Sequence, residues 1–79
     1  MLHHVYILES EDGRHHFVGL TNDIERRLTE YNAGYVKHTA KFRPWIMRTV
    51  IGFDDRAKAA AFEFYLKTGS GRAFAKKRF

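Results

Sequence analysis

The chain is expected to fold as one small α/β (α+β) domain spanning residues 1–79, with strands and helices in the order ββαβαα. Three observations predict this fold class. Two segments rich in β-branched and aromatic residues flank an Asp-Gly turn, two later segments have the apolar spacing of amphipathic helices, and a further apolar segment lies between those helices. At 79 residues the chain is too short for two separate hydrophobic cores.

The first two strands form a predicted hairpin. Residues 3–9 (HHVYILE) and 15–20 (HHFVGL) have strand character, and Asp12-Gly13 lies between them as the expected turn. With the turn at residues 11–13, the numbers of paired residues are expected to sum to about 24. This register places His15 opposite Glu9.

A first helix is predicted over residues 22–33, directly after the hairpin. Thr21 or Asn22 is the expected N-cap, Glu25 follows Asn22 at capping-box spacing, and Gly34 is placed to end the helix. The next ten residues, 35–44, have no clean period and are expected to form a basic loop.

The second half of the chain is predicted to contain one strand and two helices. Residues 45–53 (WIMRTVIGF) read as a strand, and Asp54 or Asp55 is expected to cap a helix over residues 56–68. Ser70 is the expected cap of a short last helix.

The first helix carries a charge on its apolar face. Ile24, Leu28 and Tyr31 follow the i, i+4, i+7 spacing of a core-facing stripe, and Arg27 falls within that stripe. The apolar face of this helix is therefore expected to bring an arginine close to the core.

The second amphipathic helix repeats this feature with the opposite charge. Ala59, Phe62 and Leu66 form its apolar stripe, and Glu63 lies among them. Because an unpaired buried charge is costly, such groups are usually paired or kept for function. The alternatives are an Arg27–Glu63 salt bridge, side chains that reach the solvent at the rim of the sheet, or a functional site.

The chain is basic, most strongly so towards residue 79. It contains 14 Lys and Arg against 9 Asp and Glu, a formal net charge of +5, and no acidic residue follows Glu63. A polyanionic partner is one interpretation, and a solvated helix end whose cations suit the helix dipole is the other. The cations after Glu63 are Lys67, Arg72, Lys76, Lys77 and Arg78.

Several classes of protein are excluded by composition. Cysteine is absent, which rules out disulfides and Cys-based zinc sites. The first ten residues, MLHHVYILES, lack the layout of a signal peptide, and no apolar run approaches the ~20 residues of a membrane-spanning helix. A soluble cytoplasmic protein with no membrane partner is expected.

Four short segments, taken in their joint order and spacing, resemble the GIY-YIG endonuclease superfamily. Within that superfamily the chain is similar to small stand-alone bacterial proteins related to the UvrC N-terminal nuclease domain, over almost its whole length. The segments are VYI at residues 5–7, FVG at 17–19, NDIERR at 22–27, and Ala59-x3-Glu63-x2-Leu66-Lys67.

The resemblance implies a GIY-YIG fold, a three-stranded antiparallel sheet flanked by helices, and hydrolysis of DNA phosphodiesters with Mg²⁺ or Mn²⁺. Carried over by position, the catalytic residues are Tyr6, Arg27 and Glu63, and Gly19 is the motif glycine. Gly19 is expected either to permit a close approach of backbone and substrate or simply to end a strand.

These residue types suit phosphodiester chemistry. Glu63 is the expected metal ligand, because Mg²⁺ often takes only one or two carboxylates and keeps several waters, and the metal favours departure of the leaving oxygen. Arg27 is expected to hold a phosphate oxygen bidentately. Tyr6 is the remaining candidate for general base.

The chain departs from the family pattern at Phe17, which stands where the second motif tyrosine is expected. Two alternatives follow. Either Tyr6 suffices for an endonuclease that cuts DNA, including structured or damaged DNA, or the chain is a nucleic-acid-binding module that has lost cleavage. Tyr31, four residues after Arg27 and on the same helix face, either replaces part of the lost function or is a core aromatic. A protein-interaction domain would leave the charge distribution unexplained.

Several further basic residues are expected to contact nucleic-acid phosphates, while neighbouring aromatic residues stack on bases or fill the core. Trp45 is assigned to the core. The basic residues are Lys37, His38, Lys41, Arg43 and Lys67.

Two histidine pairs suggest a rival metal site. His3-His4 and His15-His16 lie near opposite ends of the predicted hairpin, roughly 20 Å apart at ~3.3 Å per residue. A single site formed by all four histidines is therefore not expected.

Overall fold

The computed structural model describes residues 2–79 and contains three strands and four helices in that range. The elements are β1 (His3–Ser10), β2 (His16–Thr21), α1 (Ile24–Asn32), α2 (Lys37–Ala40), β3 (Trp45–Phe53), α3 (Arg56–Leu66) and α4 (Gly69–Arg78). The predicted α+β class and the order of its main elements are confirmed. Within the described residues, no helix has the length and apolar character needed to cross a bilayer.

The three strands form one antiparallel sheet in the order β2-β1-β3. Its central strand, β1, pairs with β2 through the hairpin and with β3 on its other side. The register between β1 and β3 shifts between Ile7 and Leu8. Both neighbours of β1 therefore fix the position of the side chains that it carries.

The predicted hairpin register is wrong by one residue, because Glu9 lies opposite His16 and not opposite His15. The loop holds one more residue than expected, and the Ser10 N–H donates to the His15 carbonyl at 2.9 Å. The Asp12 carboxylate stabilises this longer loop by accepting hydrogen bonds from the Ser10 hydroxyl at 2.6 Å and the Arg14 N–H at 3.0 Å. These hydrogen bonds also hold the pKa of Asp12 below its usual value.

Helices pack on both faces of the sheet, and each face has its own core. On the face covered by α3 and α4, the buried residues are Val5, Ile7, Ala59 and Leu66. On the face covered by α1 and α2, they are Tyr6, Leu8, Tyr31 and Trp45. Since successive side chains of a strand point to opposite faces, β1 supplies both cores, and each fully buried apolar side chain contributes roughly 1.5–3 kcal/mol. The predicted stripes of both helices and the predicted core position of Trp45 are confirmed.

The helix caps differ in part from the predictions. Asp23, and neither Thr21 nor Asn22, caps α1 by accepting the Arg26 N–H at 3.1 Å. Asp55 caps α3 as predicted. Thr68, two residues before the expected Ser70, caps α4. In each of these helices the N-cap is a residue whose carboxylate or hydroxyl accepts a hydrogen bond from one of the first free N–H groups.

Residues 35–44 are not wholly irregular, because they include the single helical turn α2. Thr39 of this turn is buried, and its carbonyl accepts the Trp45 indole N–H at 3.0 Å. The turn begins soon after α1 ends, where Gly34 adopts a φ of 83° that favours glycine. A four-residue helix is too short to show a 3.6-residue period, so the sequence pattern did not reveal it.

Candidate active site

A groove of about 670 Å³ opens where β2 leads into α1. We call it the motif groove, because it contains both charges that stood out in the sequence. Arg27 reaches it from α1 and Glu63 from α3, which lie on opposite faces of the sheet. Arg26, Glu30, Arg56 and His3 also line it, together with residues 20–23.

The Arg27 side chain is held by three neighbours. Its Nε–H donates to the Tyr6 hydroxyl at 3.3 Å, one Nη donates to Glu30 at 3.2 Å, and the guanidinium lies 4.9 Å from the centre of the Tyr31 ring. The hydrogen bond to Tyr6, supported by the one to Glu30, raises the pKa of Arg27 above its usual value. Arg27 is therefore a fixed positive charge, and the other Nη has no hydrogen-bond partner among residues 2–79.

Tyr6 and Tyr31 form a hydroxyl pair beneath this arginine. Both side chains are buried, with exposures of 1% and 0%, and the Tyr6 hydroxyl donates to the Tyr31 hydroxyl at 3.3 Å. Burial, followed by the hydrogen bond with Tyr6, raises the pKa of Tyr31, so its hydroxyl stays protonated at neutral pH. Tyr31 is thus a core aromatic, one of the two alternatives that the sequence presented, and its hydroxyl is a partner of Tyr6.

Gly19 makes room for the Tyr6 ring. The two residues are paired across β1 and β2, and a Cβ added to Gly19 would overlap the phenol oxygen and ring carbons of Tyr6. The sequence predicted either a close approach to substrate or a simple strand end. In the structure the group that comes close is the side chain of Tyr6.

Phe17 lies next to the hydroxyl pair without taking part in it. Its ring centre is 5.5 Å from that of Tyr31 and 5.9 Å from that of His38. It packs with the partly buried apolar residues around the Tyr6 and Tyr31 core. A second tyrosine hydroxyl is therefore missing at this position, and Phe17 fills space there.

Glu63 has fewer protein partners than Arg27. One carboxylate oxygen accepts a hydrogen bond from Lys67 Nζ at 3.2 Å, and the side chain is 23% exposed, against 37% for Arg27. The alternative of an Arg27–Glu63 salt bridge is wrong, because each charge pairs with a residue close to it along the chain, Arg27 with Glu30 and Glu63 with Lys67 at the end of α3. The two functional candidates face one groove without neutralising each other.

A comparison with protein families identifies the family of the chain. The family model described as the GIY-YIG catalytic domain matches residues 2–78. The chain belongs to the GIY-YIG family. Since this is a family of nucleases, its substrate class is nucleic acid, and the expected resemblance is confirmed.

Individual relatives agree with this assignment. A UPF0213 protein of Halobacterium salinarum is 37% identical over 67 residues, which cover 84% of this chain and 86% of the relative. A UPF0213 protein of Enterococcus faecalis is 41% identical over 68 residues, 82% of this chain and 76% of the relative. The solution NMR structure of a UPF0213 protein from Bacillus halodurans superimposes with a TM-score of 0.58 at 31% identity, covering 96% of this chain and 81% of that one.

Four of the basic residues selected from the sequence do not line the motif groove, although they belong to the same GIY-YIG domain. Lys37, His38, Lys41 and Arg43 lie in or next to α2. Lys41 Nζ lies 5.2 Å from the centre of the Phe42 ring, and Arg43 Nε–H donates to the Ala40 carbonyl at 2.7 Å. Lys67, by contrast, directly contacts Glu63. Phosphate binding by the α2 residues remains a prediction.

The histidines are dispersed over the GIY-YIG domain. His3 lines the motif groove, His15 stacks on Phe42 with ring centres 3.8 Å apart, and His16 lies 3.9 Å from Glu9. Across residues 2–79 the structure brings no three His, Asp or Glu side chains into a metal-binding group.

Several groove residues were not selected from the sequence. Glu30 is the clearest, because its carboxylate accepts hydrogen bonds from both Arg26 and Arg27. Its i, i+3 spacing from Arg27 was a usable signal. Arg56 offered no such signal, and His3 was noted only as part of a histidine pair, because the packing of α3 beside β1 brings them to this groove.

Glu63 fits a divalent cation as a single carboxylate ligand. Mg²⁺ commonly binds one or two carboxylates, several waters and substrate phosphate, so one partly exposed carboxylate at a groove is a suitable donor. Its second oxygen has no protein hydrogen bond within the described part of the chain. Arg27 lies across the groove, and Tyr6, which does not line the groove, contacts it only through Arg27. Neither residue is a metal ligand in this interpretation.

Proposed function

We propose that this chain is a divalent-metal-dependent endonuclease that hydrolyses phosphodiester bonds in DNA, with Mg²⁺ or Mn²⁺ as the metal. One observation supports this most directly. Arg27 and Glu63 face a single groove, yet each forms its ion pair with a residue three or four positions along the chain and not with the other. A free guanidinium edge and a free carboxylate oxygen are therefore left for a ligand.

Arg27 is the proposed phosphate-binding residue. Its Nε and one Nη are occupied by Tyr6 and Glu30, which orient the guanidinium plane, while the remaining N–H groups are available. Arginine binds phosphate oxygens through a rigid set of donors and remains charged. Donors fixed in advance are most effective where negative charge develops during the reaction.

Glu63 is the proposed metal ligand. A metal bound there would polarise the scissile phosphate and stabilise the leaving oxygen. The chain itself contributes the carboxylate and the neighbouring Lys67 ammonium, which lies 3.2 Å away. Glu63 must exchange this ammonium for a cation, or share its two oxygens between them.

Tyr6 is the proposed general base, with Tyr31 as its partner. The Tyr6 hydroxyl is joined to Arg27 on one side and to Tyr31 on the other. This pair supplies two hydroxyls from β1 and α1, although the second motif position carries Phe17. We propose that Tyr31 provides the hydroxyl that Phe17 lacks.

A second candidate function, nucleic-acid binding without cleavage, is favoured by one specific observation. Tyr6 is only 1% exposed, and a general base must reach the proton that it removes, directly or through one water. If the groove does not open further on binding substrate, the domain would hold DNA and leave it intact.

The test is a cleavage assay on single-stranded, duplex and branched DNA with Mg²⁺ or Mn²⁺, alongside Glu63→Gln. We expect the variant to lose cleavage by about 100-fold or more while it still binds DNA. Glu11→Gln, the same change at an exposed site outside the groove, should retain full activity.

The outcomes separate the two candidate functions. Cleavage by Glu63→Gln at the rate of the unaltered protein would reject the proposed site. DNA binding that weakens steeply with salt, without cleavage under any metal condition, would instead support the binding module. Failure to bind nucleic acid even at low salt would reject both.

A further inference from the structure

A second groove lies on the sheet face covered by α3 and α4. We call it the basic trough; its volume is about 800 Å³. Its apolar floor is formed by Ile7 and Val18 of the sheet, Leu66 of α3 and Ala75 of α4. Phe79 also lines the trough and is 53% exposed. An apolar floor of this kind suits flat, uncharged groups such as nucleobases.

The rim of the trough is strongly cationic. Arg48, Lys67, Arg72 and Lys76 all line it, and Glu9 is the only carboxylate among the described lining residues. That carboxylate is already engaged, since Glu9 lies 3.6 Å from Arg48 and 3.9 Å from His16. The net positive charge favours a polyanion.

One ion pair joins the trough to the motif groove. Lys67 lines the trough, Glu63 lines the motif groove, and their side chains are 3.2 Å apart. A nucleic-acid strand bound at Glu63 therefore has the cationic Lys67 beside it, at the border of the trough.

We propose that the basic trough binds a single-stranded segment of nucleic acid next to the cleavage site, with bases on the apolar floor and phosphates on the cationic rim. The placement of the strand next to the cleavage site rests on the proposed function. Binding of the strand in the trough does not require cleavage. Unpaired bases expose the flat faces that the floor would contact, whereas duplex bases are stacked and hide them.

The experiment measures binding of a short fluorescein-labelled oligothymidylate by anisotropy in EDTA at low salt, so that no cleavage is involved. Lys76→Ala is compared with Lys77→Ala, the same change one residue along α4 at a position that does not line the trough. We expect about a threefold loss of affinity for the first, little change for the second, and about a tenfold loss for Arg72→Ala combined with Lys76→Ala.

A second pair of variants tests the apolar component. Phe79→Ala should weaken oligothymidylate binding by about fivefold, because base–aromatic contact is lost. Phe64→Ala removes an aromatic ring that is 72% exposed and lines neither groove, and it should have no effect. Amide chemical shifts of the unaltered protein should change at Ala75 on titration with the oligonucleotide.

Equal effects of Lys76→Ala and Lys77→Ala would overturn the proposal, since they would indicate a diffuse electrostatic attraction. The proposal would also be overturned if the Arg72→Ala and Lys76→Ala changes weakened binding of a blunt duplex more than binding of oligothymidylate. So would displacement of the oligonucleotide by an acidic peptide at similar concentration. A protein that never cleaves DNA but passes these binding tests would reject the proposed function and retain the trough.

Discussion

The two walls of the motif groove hold their charged residues in different ways. On the α1 wall, Arg27 is fixed by Tyr6, Glu30 and the Tyr31 ring, and two of these partners are almost fully buried. On the α3 wall, Glu63 has one hydrogen-bond partner, Lys67, whose side chain is 51% exposed.

This difference matches the chemistry proposed for each wall. A donor that stabilises developing negative charge is most effective when it needs no rearrangement, and the buried hydroxyl pair provides that rigidity. A metal ligand must instead exchange partners as the ion arrives, and an exposed ion pair worth ~0.2–1 kcal/mol is easily replaced. We call the α1 side the rigid wall and the α3 side the loose wall. The geometry of the rigid wall is expected to depend on the stability of the fold, and the ion pair on the loose wall on solution conditions.

The largest effect on stability and cleavage is expected at Gly19, where the Tyr6 side chain of the rigid wall packs against the sheet. Gly19→Ala would force the Tyr6 ring away from its strand partner, which we expect to cost about 3 kcal/mol of unfolding free energy and to abolish cleavage. Urea unfolding measures the first quantity. Gly69→Ala is the control, because an added Cβ there meets nothing within 4 Å. Equal midpoints for Gly19→Ala and the unaltered chain would contradict the described packing.

Arg27→Lys tests the orientation of the guanidinium on that wall. Lysine keeps the charge but cannot bind Tyr6, Glu30 and a phosphate in one plane, so we expect cleavage to fall by about 100-fold. Initial rates on the preferred DNA substrate provide the measurement. Arg26→Lys changes a neighbouring groove residue that is 76% exposed and should alter the rate by less than about threefold. Similar losses for both variants would show that only net charge matters.

Tyr31→Phe removes one hydroxyl from the buried pair and should lower stability by about 1 kcal/mol near neutral pH. It should also change the alkaline response. Because burial raises the pKa of Tyr31, the folded chain keeps a proton that the unfolded chain loses above pH ~10, and stability falls as pH rises through that value.

The loss of stability on going from neutral pH to above pH ~10 should therefore be smaller in Tyr31→Phe than in the unaltered protein. Urea unfolding near neutral pH and above pH ~10 measures the difference. Tyr35→Phe is the matched control, since Tyr35 is 79% exposed and should leave the pH response unchanged. An identical alkaline loss in both variants would contradict the assignment to Tyr31.

The smallest effect is expected on the loose wall. Lys67→Ala should change stability by about 0.5 kcal/mol or less, as expected for a surface ion pair. Without the competing ammonium, the affinity of Glu63 for Mg²⁺ should rise about two- to threefold. Calorimetry without DNA measures this, with the exposed Lys58 changed to alanine as control. Weaker Mg²⁺ binding in Lys67→Ala would show that the ammonium supports the site.

The sequence predicted most of what depends on periodic patterns. The stripes through Ile24, Leu28 and Tyr31 and through Ala59, Phe62 and Leu66 gave the buried helix faces, and Arg27 and Glu63 were identified because they interrupt those stripes. Spacing alone could not choose the partners of these charges. Arg27 had two carboxylates to choose from, Glu63 and Glu30, and only the three-dimensional structure shows that it binds Glu30.

Features set by a few local hydrogen bonds were harder to predict. The hairpin register depends on whether Asp12 can accept hydrogen bonds from Ser10 and Arg14. One added loop residue places His16, and not His15, opposite Glu9. The single turn α2 depends on contacts between Thr39 and Trp45. Such features have no periodic signal, because each is decided by one or two side chains.

The central place of β1 has a consequence for how the site moves. Tyr6 lies in the middle of the strand, paired with Gly19 on one side and with Val50 on the other. Local opening of an edge strand therefore releases only one of its neighbours. The Tyr6 amide should exchange its hydrogen with solvent only on the slowest, global timescale of the domain. The backbone that carries the Tyr6 hydroxyl then opens only when the whole domain unfolds.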